Sequence, residues 1–222
     1  MKRNVTLAEI SDGRLYREND MVKAGCNDCI GCSTCCKGMG DTILLDPLDC
    51  YRLTCALKVP FEALLADKLE LGVADGIILP HLKMTPVKEQ CAFLNPEGRC
   101  GIHPYRPGIC RIFPLGRYYE DGDFRYFLQT GECPRTNRTK VKVSKWIDIP
   151  DIKRNKAYLL SWHYFLKDCE EVLEKGDDKL HHDLNMYLLK TFFLTPYKEQ
   201  VDFYQQFEER LEKGKTFLQT GL

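Results

Sequence analysis

Twelve cysteines occur in 222 residues, and eleven of them lie between Cys26 and Cys133. The densest group is Cys26, Cys29, Cys32 and Cys35, which returns a sulfur every third residue, with Cys36 directly following. Thiolates bind soft and borderline ions. A loop with this interval can fold its side chains inward around one centre, as zinc ribbons and iron–sulfur loops do. Gly31 and Gly38 allow the left-handed or crowded backbone that such a wrap needs. The segment 26–40 holds too much Gly, Asn, Asp and Ser to form a helix or strand on its own, so the sequence predicts a loop shaped by what it binds.

The later cysteines are more loosely spaced: Cys91, Cys100 in a Gly-Arg-Cys-Gly-Ile-His turn, Cys110 in Arg-Pro-Gly-Ile-Cys-Arg, and Cys133 before Pro134. With the first group they exceed what one tetrahedral ion can use, which implies either a multi-iron cluster or two mononuclear sites. Charge favours their involvement, because residues 91–145 carry 10 Lys+Arg against 5 Asp+Glu in a chain whose net charge is zero. Guanidinium groups offset thiolate charge that a metal leaves uncompensated, and Arg99, Arg106, Arg111 and Arg117 are the candidates. Among the other cysteines, Cys169 sits on an apolar helical stripe and reads as a core thiol. Cys50 and Cys55 point different ways on a short helix. His103 reads as a hydrogen-bonded structural residue, and His181 with His182 as a solvated pair.

These elements resemble the YkgJ-type cysteine-cluster family of zinc- or iron-chelating or iron–sulfur proteins. The family's C-x2-C-x2-C-C element falls on Cys29, Cys32, Cys35 and Cys36; its C-x-F-L, G-R-C-x-I-H, R-P-x-x-C-R and single-cysteine elements fall on Cys91, Cys100, Cys110 and Cys133. The resemblance covers about residues 26–135 and implies that these eight cysteines are metal-associated, with Cys26 an extra member of the register. Cysteine ligands in excess of four and the neighbouring arginines favour an iron–sulfur cluster, with Zn2+ as the alternative cofactor, so the expectation is a metal-binding protein in a redox or cluster-dependent role. A flagellin lysine N-methylase carries a related cluster, which makes a protein-modifying enzyme an alternative; a structural zinc adaptor is another. No G-x-G-x-x-G follows a strand, and no C-x3-C-x2-C triad occurs, since position 39 is Met.

The scaffold implied by the sequence is α+β: a small cysteine-rich, metal-stabilised core of short strands and helices, with a C-terminal helical tail packed on it. Residues 1–25 read as a polar arm without a sustained period, 26–145 as the metal-binding domain and 146–222 as a helical extension. A strand is expected over Thr42–Leu45, then a helix opened by Asp46-Pro47 and running to Leu57. A second helix is expected over Phe61–Leu69 and a strand from Ile77. Hairpins are expected around 95–98 within Cys91–His103 and around 120–123, where aromatics flank an Asp-Gly pair. Three amphipathic helices follow, through Tyr158–Leu173, Leu180–Phe192 and Tyr197–Leu211, with Pro196 breaking the last two apart and Trp146 and Trp162 packed rather than stacked on a cofactor.

With 44% hydrophobic and 29% charged residues the chain reads as globular, and with 32 Lys+Arg against 32 Asp+Glu it has no overall field for nucleic acid or an anionic membrane. No long uncharged apolar window suggests a membrane span, and residues 1–10 lack a secretory signal's apolar region. The expectation is a cytoplasmic protein with reduced thiols, acting with a protein partner or protein substrate.

Overall fold

The computed structural model describes residues 6–26 and 32–220 of the chain. The first stretch forms a one-turn helix α1 (Leu7–Ile10) and strands β1 (Ser11–Tyr16) and β2 (Met21–Gly25). Helices α2 (Pro47–Leu57) and α3 (Phe61–Asp67) follow, then strands β3 (Leu69–Ala74) and β4 (Ile77–Leu82). A short helix α4 (Gly108–Ile112) leads into strands β5 (Leu115–Glu120), β6 (Asp123–Gln129) and β7 (Thr139–Lys142). The chain ends in helices α5 (Val143–Ile147), α6 (Ile152–Leu173), α7 (Asp178–Leu189) and α8 (Phe203–Thr220). Helices and small antiparallel sheets together make an α+β fold. No helix among the described residues is long and apolar enough to cross a membrane.

Two compact units share the chain: Leu44–Lys83 group with Ala157–Leu222, and Lys2–Ile43 group with Met84–Lys156, within the described residues. The first of these begins at α2, whose entry is as the sequence predicts. The Asp46 carboxylate accepts from the Asp49 backbone N–H at 2.9 Å, and the Asp49 side chain reaches back to the Asp46 N–H at 3.4 Å. Pro47 occupies the first turn, where its missing N–H costs nothing. The helix expected to run to Leu69 stops at Asp67, because Leu69 already opens β3. β3 and β4 pair in strict register from Leu69 opposite Leu82 to Ala74 opposite Ile77. Asp75 and Gly76, both at positive φ, supply the two-residue turn. The strand expected over Thr42–Leu45 shrinks to a single bridge between Leu44 and His81. Thr42 instead folds back so that its N–H and hydroxyl both donate to the Met39 carbonyl, which leaves too few extended residues.

The three C-terminal helices bury a continuous aromatic core in this unit. Phe165, Phe192 and Phe207 are nearly inaccessible, Trp162 lies 5.0 Å from Phe192, and Tyr158 meets Phe207 edge-on at 4.5 Å. The Tyr158 hydroxyl accepts from the Leu48 N–H at 3.0 Å, joining α6 to the start of α2. Cys50 and Cys169 are buried among these hydrophobes, and burial lifts both thiols, Cys169 to about 12. Asn185 links α7 to the β-hairpin: its side-chain oxygen accepts from the Ile78 N–H, and its amide donates to the Gly76 and His181 carbonyls. His181, expected in solvent, donates from Nε2 to the Leu173 carbonyl at 2.9 Å.

In the second unit a three-stranded sheet has the order β1-β6-β5, and β2 pairs with β7. The N-terminal arm is therefore ordered as strands from Ser11, with a register shift between Ser11 and Leu15 around Gly13 at φ +74°. The expected aromatic hairpin forms as β5 and β6, turned by Asp121 and Gly122 at positive φ. Gly116 faces Phe127 across this pair, and a Cβ there would overlap the Phe127 ring. Gly116→Val is expected to displace that ring and cost about 1–3 kcal/mol, read as a lower urea midpoint with an unchanged slope. An unchanged midpoint would show that the ring has room to move. Trp146 of α5 donates from its indole N–H to the Ile112 and Phe113 carbonyls, which fixes α5 against the end of α4.

Candidate metal centre

The thiols are brought together by short backbone pairings, since the segments that carry them are too short and polar to build a sheet. Residues Thr34–Cys36 form one 3-10 turn, closed by the Cys36 N–H to the Ser33 carbonyl. Cys36 and Lys37 then run antiparallel to Gln90 and Cys91. The Cys91 N–H donates to the Cys36 carbonyl at 2.8 Å, and Lys37 bridges Gln90. Gly38, at φ +65°, turns the chain while its N–H donates to the Glu89 carbonyl.

Cys91 also bridges Met84, which places it between two neighbouring segments and leaves it 5% exposed. The expected hairpin of Cys91–His103 appears as a tight loop with one bridge, Leu94 to Cys100, instead of two strands. Asn95 organises the loop, its N–H donating to the Arg99 carbonyl and its side chain accepting from the Arg99 N–H. Gly101 passes so close to the Phe93 carbonyl that a Cβ would lie 3.1 Å from it. Cys100 and Cys91 are both brought near Cys36.

Four thiols from two segments thus lie near one another: Cys35, Cys91 and Cys100 all shift the ionisation of Cys36, and Cys35 shifts that of Cys100. The Cys36 thiol donates to the Cys35 sulfur. This contact, helped by the Arg106 charge and opposed by burial, lowers Cys35 to about 7. The same contact, burial and the neighbouring thiols push Cys36 far upward. Burial raises Cys100, while Arg106 and Arg99 work against it. A soft donor set of this kind suits zinc or an iron centre, and binding requires the ligating thiols to lose their protons. Among the described residues, no three His, Cys, Asp or Glu side chains are arranged to share one ion.

In the metal-free chain, iodoacetamide is expected to modify Cys35 before Cys36. A lowered ionisation gives Cys35 its thiolate above about pH 7, and a raised one keeps Cys36 protonated through neutrality. Peptide mass mapping between pH 6 and 8.5 reads the order; faster labelling of Cys36 would reverse the donor assignment.

The remaining sequence candidates are placed differently. Cys32 contacts the Thr34 hydroxyl at 3.6 Å, and the Thr34 N–H, the hydroxyl and Arg135 all lower its ionisation against burial. Arg135 stands two residues beyond Cys133, in the loop after β6. Cys110 lies in α4, Cys26 follows β2 directly, and Cys29 falls outside the described residues.

Of the four arginines singled out by charge, Arg99 and Arg106 act on the thiols. Arg111 is buried and donates to the Pro104 and Asp148 carbonyls, and Arg117 lies 5.7 Å over the Phe124 ring. His103 accepts at Nδ1 from Arg106, which also donates to the His103 carbonyl, so it orients a guanidinium. Sequence reasoning overlooked the contribution of Arg135, although its nearness in sequence to Cys133 was a usable signal.

Thiols gathered by loops in an α+β scaffold, with guanidinium groups beside them, define a cysteine-cluster metal-binding protein. The family model described as "CxxCxxCC: Putative zinc- or iron-chelating domain" matches residues 28–144, and the chain belongs to that family. No curated protein and no solved structure gives a significant match. Metal binding, by iron or zinc, is what this membership supports.

Proposed function

We propose that this protein carries an iron–sulfur cluster on its cysteine cluster and serves a redox or cluster-dependent role. The observation that supports the reading is the grouping of Cys35, Cys91 and Cys100 around Cys36 with two guanidinium groups, Arg99 and Arg106, beside them. Zinc bound by four thiolates leaves two negative charges, and an iron–sulfur cluster on four thiolates leaves a charge that changes with its oxidation state. Cationic neighbours are of most use where that charge changes, because they set how readily an electron is added.

In this reading Cys35, Cys36, Cys91 and Cys100 hold the group, with Cys29, Cys32, Cys110 and Cys133 as the further donors and Cys26 as an extra one. When bound, the cluster supplies one-electron transfer. The chain's own residues have separate tasks. Cys91 and its backbone bond to Cys36 set the spacing of two ligands, and the Asn95 turn sets the third. His103 fixes Arg106 at a defined angle to them.

Anaerobic purification, followed by iron, sulfide and zinc analysis, visible absorption and electron paramagnetic resonance, tests the proposal. A coloured protein with iron and acid-labile sulfide is expected. Colourless protein with stoichiometric zinc would replace the cluster by structural zinc. Less than roughly 0.2 metal ions per chain with freely titratable thiols would remove metal binding altogether.

A further inference from the structure

The C-terminal helices carry a second feature unconnected with the thiols. Between the end of α7, the segment that follows it and the first half of α8 lies a recess of about 520 Å³. Its lining includes four basic groups, Lys190, Lys198, Arg210 and Lys213, against one carboxylate, Glu209. Among the described residues, none of the three lysine ammonium groups pairs with a carboxylate. Elsewhere on these helices Lys179 pairs with Asp183 and Lys215 with Glu212.

The wall is held in shape by backbone irregularity. Helix α7 continues into a single π-helical stretch, Lys190–Leu194, of the kind that recurs at functional sites. Arg210 secures it, donating from Nη1 to the Thr191 and Thr195 carbonyls and from Nη2 to the Pro196 carbonyl, while its guanidinium lies 3.6 Å over the Tyr197 ring. Gln206 fastens the other side, donating to the Lys198 and Val201 carbonyls and accepting from the Lys198 N–H. The recess is therefore built by side chains that bond to backbone, and its lysines are left available for an occupant.

We infer that this recess is a binding site for a small phosphate-bearing molecule. Like charges gathered around a concave surface raise the local positive potential and are relieved by a multiply charged anion. Thr191 and Thr195 are also among the lining residues, and threonine is of the type that accompanies lysine at phosphate sites. The volume falls in the range of about 300–1,000 Å³ typical of small-molecule sites, which favours a phosphorylated small molecule over an acidic protein surface.

Calorimetric titration of the full chain with adenosine monophosphate, with glucose 6-phosphate and with a glutamate-rich peptide tests the assignment. Both phosphate esters should bind saturably, and more weakly at high salt. Replacing Lys190, Lys198 and Lys213 together by Gln should weaken binding more than about tenfold, whereas Lys179→Gln should leave it unchanged. Circular dichroism checks folding; should the triple variant not fold, the single substitutions, each expected to weaken binding about threefold, carry the test. Absence of saturable ester binding below about 10 mM, binding that survives the substitutions, or binding of the peptide alone would each overturn the site. Since the metal-binding residues are untouched, metal content should be the same in every variant, so this test fails or succeeds apart from the cluster proposal.

Discussion

Serine at both Cys35 and Cys36 is expected to lower the metal retained after dialysis by at least about tenfold and to lower the thermal midpoint of the protein as isolated. Two adjacent thiols supply two donors from a single 3-10 turn, and their partners Cys91 and Cys100 arrive from one distant loop. Serine keeps the size of the side chain but gives up the soft, readily ionised sulfur, so open coordination positions remain while the loops stay in place. Metal binding and loop order are linked, because an ion that binds only the assembled thiols stabilises that assembly by mass action. Cys169→Ser provides the contrast. Its thiol is wholly buried in the aromatic unit, so it should keep its metal and lose about 1–3 kcal/mol from burying a hydroxyl. Metal loss in the Cys169 variant with retention in the double variant would overturn the division between ligands and core thiols.

Phe207→Ala is expected to destabilise the aromatic unit by about 3–5 kcal/mol, read from a denaturant midpoint. Phe207 is 1% exposed and sits among Tyr158, Trp162, Phe192 and Phe203, all within 6.2 Å between ring centres. Alanine would leave a cavity whose walls are rigid rings from α6, α8 and the π-helical segment, and rings of that size do not collapse to fill it. Metal stoichiometry under native conditions should not change, since the four thiols belong to the other unit. A loss below about 1 kcal/mol would mean that the surrounding rings repack.

Much of this was legible locally. The entry of α2 is written in Asp46, Pro47 and Asp49, and the β5–β6 turn in Asp121-Gly122, because capping and positive-φ turns depend on a few adjacent residues. The same signal stood at Asp75-Gly76 and could have located β3, had the helical reading of Phe61–Leu69 not been carried too far. The N-terminal strands were not legible: β1 is interrupted at Gly13, and its partner β6 lies more than a hundred residues away. Asn185 was equally hidden, since a lone amide on a helix acquires its role only when a hairpin presents the Ile78 N–H and Gly76 carbonyl to it.

What the sequence by itself determined is chemical: which residues are soft donors, that they recur at a metal-binding interval, and which stretches form helices with an apolar face, though not where those helices end, since the one expected from Tyr197 to Leu211 runs from Phe203 to Thr220. Those properties belong to single residues and to periods of a few positions. The tertiary structure decided which donors meet. Cys91 and Cys100 join Cys35 and Cys36 because of backbone pairings between segments over fifty residues apart, and Arg99 and Arg106 reach the thiols while Arg111 and Arg117 are spent on carbonyls and an aromatic ring. It also decided that Leu44–Lys83, which lie between the two cysteine groups in sequence, pack with the C-terminal helices. Apolar faces are satisfied by whichever partner completes their burial, and burial is non-directional, so neither choice is encoded in any short stretch of chain.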